Sequence, residues 1–230
     1  MLVPAPPVYD PGDPVCFIED WSGDEALLSE AEGIAAAKGA VLTRVVCPHS
    51  DIARAAALTR HGYTVASEWY TATLPLTGMP SAKSIRPLTA ADVPRVLELG
   101  EQKRQEYAAY SPVFWRLSPL PRKTFALYIQ AQIADAENIA LAHEQNDEVD
   151  GFVLVNARGG IDDYTVAAPN LWPTVGAELL HSAGAEAHKR GIKILLVVCG
   201  AGDLPKRRML AGQGLTLATD WYVKPLSLKK

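Results

Sequence analysis

Apolar and polar positions recur along this chain in a pattern that predicts the same series of elements twice. When the sequence is shifted by 152 residues, positions 27–70 align with positions 179–222 without a gap, and 15 of the 44 aligned residues are identical. The identities include a Val-Val-Cys sequence and a Trp-Tyr pair, which composition alone does not explain. A repeat of this kind indicates two copies of one supersecondary unit.

Each copy predicts a helix, a buried strand, a second helix and a β-rich segment. In the second copy, apolar residues follow the i, i+4 and i+7 spacing of one buried helix face: Val175, Leu179, Leu180, Ala183 and Ala187. Glycine ends this helix at position 191, and an apolar run predicts a strand buried on both faces. Aspartate then caps the next helix. The corresponding features of the two copies are Gly39 and Gly191, strands 41–47 and 192–199, and helices 51–60 and 203–211.

The two copies differ in what precedes them. Only one short strand, 14–20, is predicted before the first copy, and residues 76–82 have the composition of a linker. Beyond the linker the pattern predicts strand 84–87, helix 90–107, helix 122–136, hairpin 138–143 with 148–157, and strand 161–168. The sequence therefore predicts a partial unit at 1–79 and a complete unit at 80–230.

Composition and charge narrow the class of protein. The chain has 230 residues, 48% of them apolar and 21% charged, which is an ordinary globular balance. A net charge of −4 does not favour a nucleic-acid partner. No apolar run approaches the roughly 20 residues of a membrane-spanning helix, and the N-terminus lacks the features of a secretory signal. We expect a cytoplasmic protein without a nucleic-acid or membrane partner.

The cysteines and histidines predict no metal site and no nucleophilic dyad. Cys16, Cys47 and Cys199 are separated in the sequence and are not clustered with other ligands, so we expect free, buried thiols. Cys47 and His49 lie too close together on one turn to favour catalysis. We expect His143 to lie in an exposed turn.

The element order of the second unit, together with several short motifs, resembles the GCN5-related N-acetyltransferase (GNAT) fold. The motifs are Ser84–Leu88 with Asp92, Val149–Val153, Tyr164–Val166 with Pro169, Gly176 with Leu179 and Leu180, and Gly212–Leu215. The resemblance implies an α/β (α+β) class with a mixed, mostly antiparallel sheet flanked by helices. The layout is similar to that of tandem acetyltransferases, with a truncated first unit.

The resemblance implies that acetyl-CoA is the co-substrate and that its pyrophosphate binds at the start of the helix after the fourth strand. Free amide groups and the helix dipole make such a position an anion site. The family motif there is Arg/Gln-x-x-Gly-x-Gly, whereas this chain reads Leu171 to Gly176, and Pro173 has no amide proton. By resemblance, the cofactor contacts are Val166, Ala167, Trp172, Thr174, Val175, Gly176, Asp203, Lys206 and Arg207.

The predicted catalytic groups begin the fourth strand. Amine acetylation requires a base for the ammonium proton, and Asp162 and Asp163 are adjacent carboxylates there. Because side chains alternate along a strand, only one of the two can face the cleft. Tyr164 is a third candidate, as a hydrogen-bond donor. The family often has a tyrosine acid in its last helix, and Leu210 stands at that position and cannot donate a proton.

An aromatic segment between the first two helices of the unit is the candidate acceptor site. Amphipathic aromatic residues collect in binding clefts, and a segment that only packs on the sheet is the alternative. Its candidate residues are Tyr107, Tyr110, Phe114, Trp115 and Arg116, of which Arg116 suits a carboxylate or phosphate.

Three functions remain open from the sequence. The first is an N-acetyltransferase that uses acetyl-CoA and a small-molecule or peptide amine, and we favour it. The second is an acyl-CoA-binding or sensing protein without activity, and the third is a scaffold. Pairing of the two units within one chain or across a homodimer is equally compatible with the repeat.

Overall fold

The computed structural model describes residues 2–4, 14–21, 24–78, 84–112, 114–115, 121–161 and 163–226. The described helices are α1 (Glu25–Ala37), α2 (Ile52–Arg60), α3 (Val93–Tyr110), α4 (Pro121–Ala134), α5 (Ala177–Lys189) and α6 (Leu204–Gly212). The described strands are β1 (Leu2–Pro4), β2 (Pro14–Ile18), β3 (Leu42–Pro48), β4 (Thr64–Thr73), β5 (Ile85–Pro87), β6 (Ile139–Gln145), β7 (Glu148–Val155), β8 (Gly160–Ile161), β9 (Tyr164–Val166), β10 (Ile194–Gly200) and β11 (Thr216–Pro225).

The described strands form two sheets, of which the larger is mixed and the smaller is antiparallel throughout. One sheet has the order β1-β2-β3-β11-β4-β10-β8, and the other has the order β5-β6-β7-β9. Within the described residues, β2 with β3 and β10 with β8 are the parallel pairs. The α/β (α+β) class and the mixed sheet flanked by helices that the sequence predicts are confirmed.

The last strands of the two repeated segments exchange places. β4, from the first segment, pairs with β10 of the second, and β11, from the second, pairs with β3 of the first. β4 and β11 also pair with each other at the centre of the sheet. The two tryptophans of the repeat, Trp69 and Trp221, stack there with ring centroids 4.4 Å apart. The segments 1–79 and 80–230 therefore share one sheet.

Helices cover both faces of the smaller sheet. Alternate residues of β7 point to opposite faces, so Val153 and Val155 pack in the cluster that contains α5, while Phe152 and Leu154 pack in the cluster that contains α3 and α4. The helices α1 and α2 bury Leu28 and Leu58 against the larger sheet. The cysteines are free and buried, as the sequence predicts.

The structure corrects the predicted strand 161–168. β8 joins the larger sheet through β10, whereas β9 joins the smaller sheet through β7, so the segment is two short strands in different sheets. In the described chain β9 pairs with β7 alone, and β10 pairs with β4 and β8. Neighbouring strands β9 and β10 therefore diverge and leave a gap between the two sheets.

No helix among the described residues is both long enough and apolar enough to cross a membrane.

Candidate functional site

The gap between β9 and β10 is bridged by a single lysine side chain. Asp203 caps α6 by accepting a hydrogen bond from the Lys206 amide at 3.3 Å, and this start of the helix directs Lys206 into the gap. The Lys206 ammonium donates to the carbonyl of Tyr164 on β9 at 3.2 Å and to the carbonyl of Val198 on β10 at 2.9 Å. Lys206 is 1% exposed, so the resemblance-based role of a cation facing CoA phosphates has no geometric support here.

The surroundings of Lys206 disfavour its charge. Burial lowers the pKa of Lys206, and the nearby carboxylates of Asp203 and Asp163 oppose that effect without outweighing it. Burial also raises the pKa of the Cys199 thiol to about 12, so this thiol stays protonated at neutral pH. The Lys206 ammonium also lies 4.9 Å from the centroid of the Tyr164 ring. The gap therefore holds a buried cation that neutral acceptors and aromatic rings stabilise.

An ion pair joins α3 to the start of α6 beside this gap. Lys103 lies 3.0 Å from Asp203 and 2.8 Å from Glu106. Burial alone lowers the pKa of Lys103, but the two carboxylates outweigh it and the pKa is raised. The buried carboxylate of Asp203 therefore caps α6 and also pairs with Lys103.

The predicted phosphate-binding turn has a buried half and an exposed half. The turn forms a single π-helical turn, Trp172–Gly176, before α5 begins at Ala177. Trp172 is 1% exposed, and a Cβ added at Gly176 would lie 2.6 Å from its ring. Val175 is also buried, whereas Pro173 and Thr174 are exposed. A ligand at this turn would thus meet the backbone and Thr174.

The predicted catalytic residues are only partly brought together. Asp163 lines a cavity between α3 and β9, while Asp162 lies outside the described residues. The Tyr164 hydroxyl is fully buried and donates to the carbonyl of Gly176, and burial raises its pKa well above the usual range. Tyr164 is therefore a packing residue in this structure. The amide of Ala167 donates to the carbonyl of Asp150 at 2.7 Å, and Val166 pairs with Gly151.

The aromatic acceptor segment packs against the larger sheet. Tyr107 lies against Gly200, where an added Cβ would be 3.0 Å from its ring, and Tyr110 packs on Gly202. Trp115 contacts Tyr107 at a centroid distance of 4.9 Å and donates to the carbonyl of Ala66 at 3.2 Å. Phe114 stacks edge-on against Trp115 at 4.6 Å. The packing alternative fits this arrangement, and Arg116 lies outside the described residues.

Arg207, the last predicted cofactor cation, is already paired. It lies 2.6 Å from Glu68, whose carboxylate also accepts from Tyr70 at 2.9 Å. Burial lowers the pKa of Arg207, but contacts with Tyr70 and Glu68 raise it overall. The charge of Arg207 thus stabilises the centre of the larger sheet.

The structure reveals a charged cavity that sequence reasoning missed. The cavity has a volume of about 30 Å³ and contains Arg104, Lys103 and Asp163 in its lining. Arg104 is 3% exposed. The sequence gives no signal of this burial, because Arg104 lies between the polar residues Lys103 and Gln105 in α3. The apolar wall of the cavity includes Phe125. The Arg104 guanidinium carbon lies 4.7 Å from the centroid of the Phe125 ring.

His143 contradicts the expected exposed turn. It is 6% exposed on β6, with Nδ1 2.5 Å from Asp150 and Nε2 3.4 Å from Glu178. The hairpin turn follows it at Asn146 and Asp147, which have positive φ angles of 54° and 63°. Within the described residues, no group of three or more His, Cys, Asp or Glu is arranged to hold a metal ion.

Comparisons with known proteins rest on structure. No known family model matches the chain, and no curated protein matches it in sequence. A GCN5-related N-acetyltransferase from Sphaerobacter thermophilus is similar with 16% identity and a TM-score of 0.58, over 88% of this chain and 67% of that chain. A GNAT-family acetyltransferase from Colwellia psychrerythraea is similar with 12% identity and a TM-score of 0.60, over 88% and 74%.

A tandem GNAT protein from the clavulanic acid biosynthesis pathway is similar with 14% identity and a TM-score of 0.51, over 90% of this chain and 70% of that chain. At these identities the likeness establishes the fold and no more. The chain has the GNAT fold.

Proposed function

We propose that this chain is an N-acetyltransferase that transfers an acetyl group from acetyl-CoA to an amine. The observation that carries the proposal is the gap between β9 and β10, in which strand carbonyls from both sides are satisfied by a side chain rather than by a neighbouring strand. Backbone carbonyls left by diverging strands require donors. A ligand with amide groups supplies such donors.

In this proposal the amide groups of acetyl-CoA would replace the Lys206 ammonium as donors to the two strands. The Lys206 ammonium occupies the position of such amide donors, because it donates to the carbonyls of Tyr164 and Val198. The exposed half of the turn before α5, at Thr174, would hold the phosphates on backbone amides and a hydroxyl. Acetyl-CoA would supply the reactive thioester.

Asp163 and Leu210 determine which proton transfers the side chains of this protein could carry out at these two positions. Asp163 faces the cavity beside β9 and would accept the proton of an ammonium acceptor as a general base. Leu210 is fully buried at the position where the resembled family places an acid. The leaving thiolate would therefore take its proton from another group or from water.

A second candidate is a GNAT-fold protein that binds or senses ligands without catalysis, or acts as a scaffold. The closed gap favours this candidate, since Lys206 occupies it with two hydrogen bonds. Pro173 also removes one amide donor from the phosphate turn. In a scaffold the lysine remains in place and acetyl-CoA does not bind, whereas an acyl-CoA-binding or sensing protein binds acetyl-CoA without turnover.

Thermal unfolding with acetyl-CoA, followed by turnover with a panel of amines, separates the two candidates. For the enzyme we expect a higher unfolding midpoint at millimolar acetyl-CoA and release of free CoA with at least one amine. Lys206→Ala opens the gap and should increase the shift, while Lys189→Ala, whose side chain is 74% exposed, is the matched control. No shift in the wild type and a shift in Lys206→Ala would favour the second candidate.

A charge at the turn tests where the phosphates bind. Thr174 is exposed, so Thr174→Glu adds a negative charge without entering the core, and Thr174→Gln is the neutral control of the same size. The Glu variant alone should weaken acetyl-CoA binding. Equal binding by both variants would mean that the phosphates bind elsewhere.

We also propose that residues 1–79 are a truncated copy of the unit in 80–230. The order α1-β3-α2-β4 parallels α5-β10-α6-β11, and the strand exchange between the segments supports pairing within one chain. We further propose a cytoplasmic location and a homodimer.

A further inference from the structure

Arg44 is a cation without an anionic neighbour, and it lies on the face of the larger sheet that turns away from α1 and α2. Side chains alternate along β3, so Val45 and Cys47 pack beneath α1 and α2 while Arg44 lies on the opposite face. Arg44 is partly exposed there. Burial lowers its pKa to about 10, and no charged group of the described chain offsets that effect.

Two aromatic rings form a floor under Arg44. Its guanidinium carbon lies 4.1 Å from the ring centroid of Phe17 on β2 and 4.0 Å from that of Trp221 on β11. Trp69 on β4 stacks on Trp221, so the cluster follows the order of neighbouring strands across the sheet. The rings attract the guanidinium through its charge and hold it in place, but they offer no oxygen to its N–H groups.

The polar atoms of this cluster are donors without acceptors. Nε of Arg44 and the Nε1 atoms of Trp69 and Trp221 are buried and have no hydrogen-bond partner in the part of the chain that the structure describes. Guanidinium and indole groups donate and do not accept, so only a group with acceptor atoms can pair with them. The terminal atoms Nη1 and Nη2 of Arg44 are not among these buried atoms, and the edge between them matches the two oxygens of a carboxylate.

The composition and the width of the face favour a protein segment as the occupant. Tryptophan and arginine are the residues that most often dominate binding energy at protein interfaces. Val46 adds a partly exposed aliphatic side chain to the same face of β3. The four strands β2, β3, β11 and β4 together span about 14 Å, a distance that about four residues of an extended chain cover.

We propose that this sheet face docks an acidic segment of a partner protein, with one Asp or Glu carboxylate on the Nη1–Nη2 edge of Arg44 and apolar side chains beside Trp221 and Val46. The uncompensated charge of Arg44 selects an anionic partner, and the rings beneath it bury the apolar part of the segment. The site uses none of the residues assigned to acetyl transfer, so it goes beyond the proposed function and does not depend on it.

Fluorescence anisotropy with two labelled hexapeptides tests the proposal on the full chain. One peptide alternates leucine and glutamate, and the other has glutamine in place of each glutamate. We expect the acidic peptide to bind about tenfold more tightly at low salt, and we expect the preference to shrink as salt is added. Equal affinity for the two peptides would overturn the proposal.

Three variants assign the preference to Arg44. Arg44→Gln should remove it, and Arg44→Lys should keep only part of it, because lysine retains the charge but not the planar fork. Arg54→Gln is the control, since Arg54 already pairs with Asp20 and Asp51. Circular dichroism checks that each variant is folded. A full preference in folded Arg44→Gln, or in Arg44→Lys if the Gln variant does not fold, would contradict the assignment.

Two further measurements identify other occupants of the face. If sodium acetate displaces the labelled acidic peptide as well as unlabelled peptide does at equal carboxylate concentration, the site binds a small anion and the partner segment is wrong. If sedimentation shows a dimer that Arg44→Gln dissociates, a second copy of this chain occupies the face and a different partner is wrong. Peptide binding to a monomer that acetate displaces only weakly would support the proposal.

Discussion

At the scale of single residues, the charged side chains differ in how far their hydrogen bonds stabilise the fold. Arg86 donates to both carboxylate oxygens of Asp92 at 2.8 Å, and the pKa of Asp92 is lowered chiefly by these bonds. Arg104 is more deeply buried, but two of its nitrogen atoms have no hydrogen-bond partner among the described residues. We therefore expect replacement of Arg86 to destabilise the fold more than replacement of Arg104.

We expect Arg104→Met to change the free energy of unfolding by less than about 1 kcal/mol, because it removes unsatisfied buried donors along with the contact to Glu101. Arg86→Met should destabilise by about 2 kcal/mol, because it leaves the Asp92 carboxylate buried without its main partner. Urea unfolding of both variants measures the difference. A larger loss in Arg104→Met would show that Arg104 has a structural role.

Lys206 predicts a pH effect with a defined sign. Its pKa is lowered by burial from the ordinary 10.5, so between the lowered pKa and 10.5 the unfolded chain binds more protons than the folded chain. The stability contribution of this group therefore rises with pH across that window. Lys206→Met lacks this contribution. The free energy of unfolding of the wild type minus that of Lys206→Met should therefore increase as the pH rises.

Urea unfolding at about pH 7 and about pH 9.5 measures that shift, because titrations common to both proteins cancel. Lys189→Met is the control, since this lysine is largely exposed. A difference between wild type and Lys206→Met that stays constant with pH would mean that Lys206 keeps an ordinary pKa.

At the scale of elements, the two repeated helix starts provide a matched comparison. Asp51 and Asp203 occupy equivalent positions, and each caps its helix by accepting from the amide three residues later, at 3.0 and 3.3 Å. Asp203 also pairs with Lys103 on α3, whereas Asp51 pairs with Arg54 within its own helix. Losing the cap alone costs about 1 kcal/mol.

We therefore expect Asp203→Ala to destabilise more than Asp51→Ala, by about 1–2 kcal/mol, because it also removes a partner from a buried ammonium. Thermal unfolding of the two variants and of Lys103→Met tests this comparison. The two Asp variants should become equal in the Lys103→Met background. Unequal losses in that background would contradict the coupling between α3 and α6.

The elements also show where sequence periodicity stops being informative. The amphipathic helices and the long strands β3, β10 and β11 follow from local patterns and are confirmed. The sequence pattern predicts segment 161–168 as one strand, yet β8 and β9 pair with different sheets. Which sheet a short strand joins depends on distant partners, and the sequence pattern does not contain that information.

The same limit applies to the candidate site. Asp163 could be selected from the sequence because its carboxylate begins a strand, and it does line a cavity. Lys206 and Arg207 look like solvent-facing cations on a short helix, but both are engaged by carbonyls or a carboxylate from other elements. Arg104 was missed for the same reason, since a charged residue in a helix gives no sign of burial before its neighbours are known.

At the scale of the whole molecule, the exchanged strands make the two segments depend on each other. β4 lies between β10 and β11, and the repeat predicts the similarity of these strands without predicting their order in the sheet. A chain restricted to residues 80–230 would keep every element of the complete unit. It would nevertheless expose the edges of β10 and β11 that β4 covers.

We therefore predict that residues 80–230 alone do not fold cooperatively, although the full chain unfolds in one transition. Far-ultraviolet circular dichroism and tryptophan fluorescence should coincide during denaturation of the full chain, because Trp69 and Trp221 report on strands from both segments. Adding residues 1–79 as a separate polypeptide should restore cooperative unfolding to 80–230. A fragment 80–230 that unfolds cooperatively by itself would show that the smaller sheet and its helices suffice, and the first segment would then be an accessory to an independent unit.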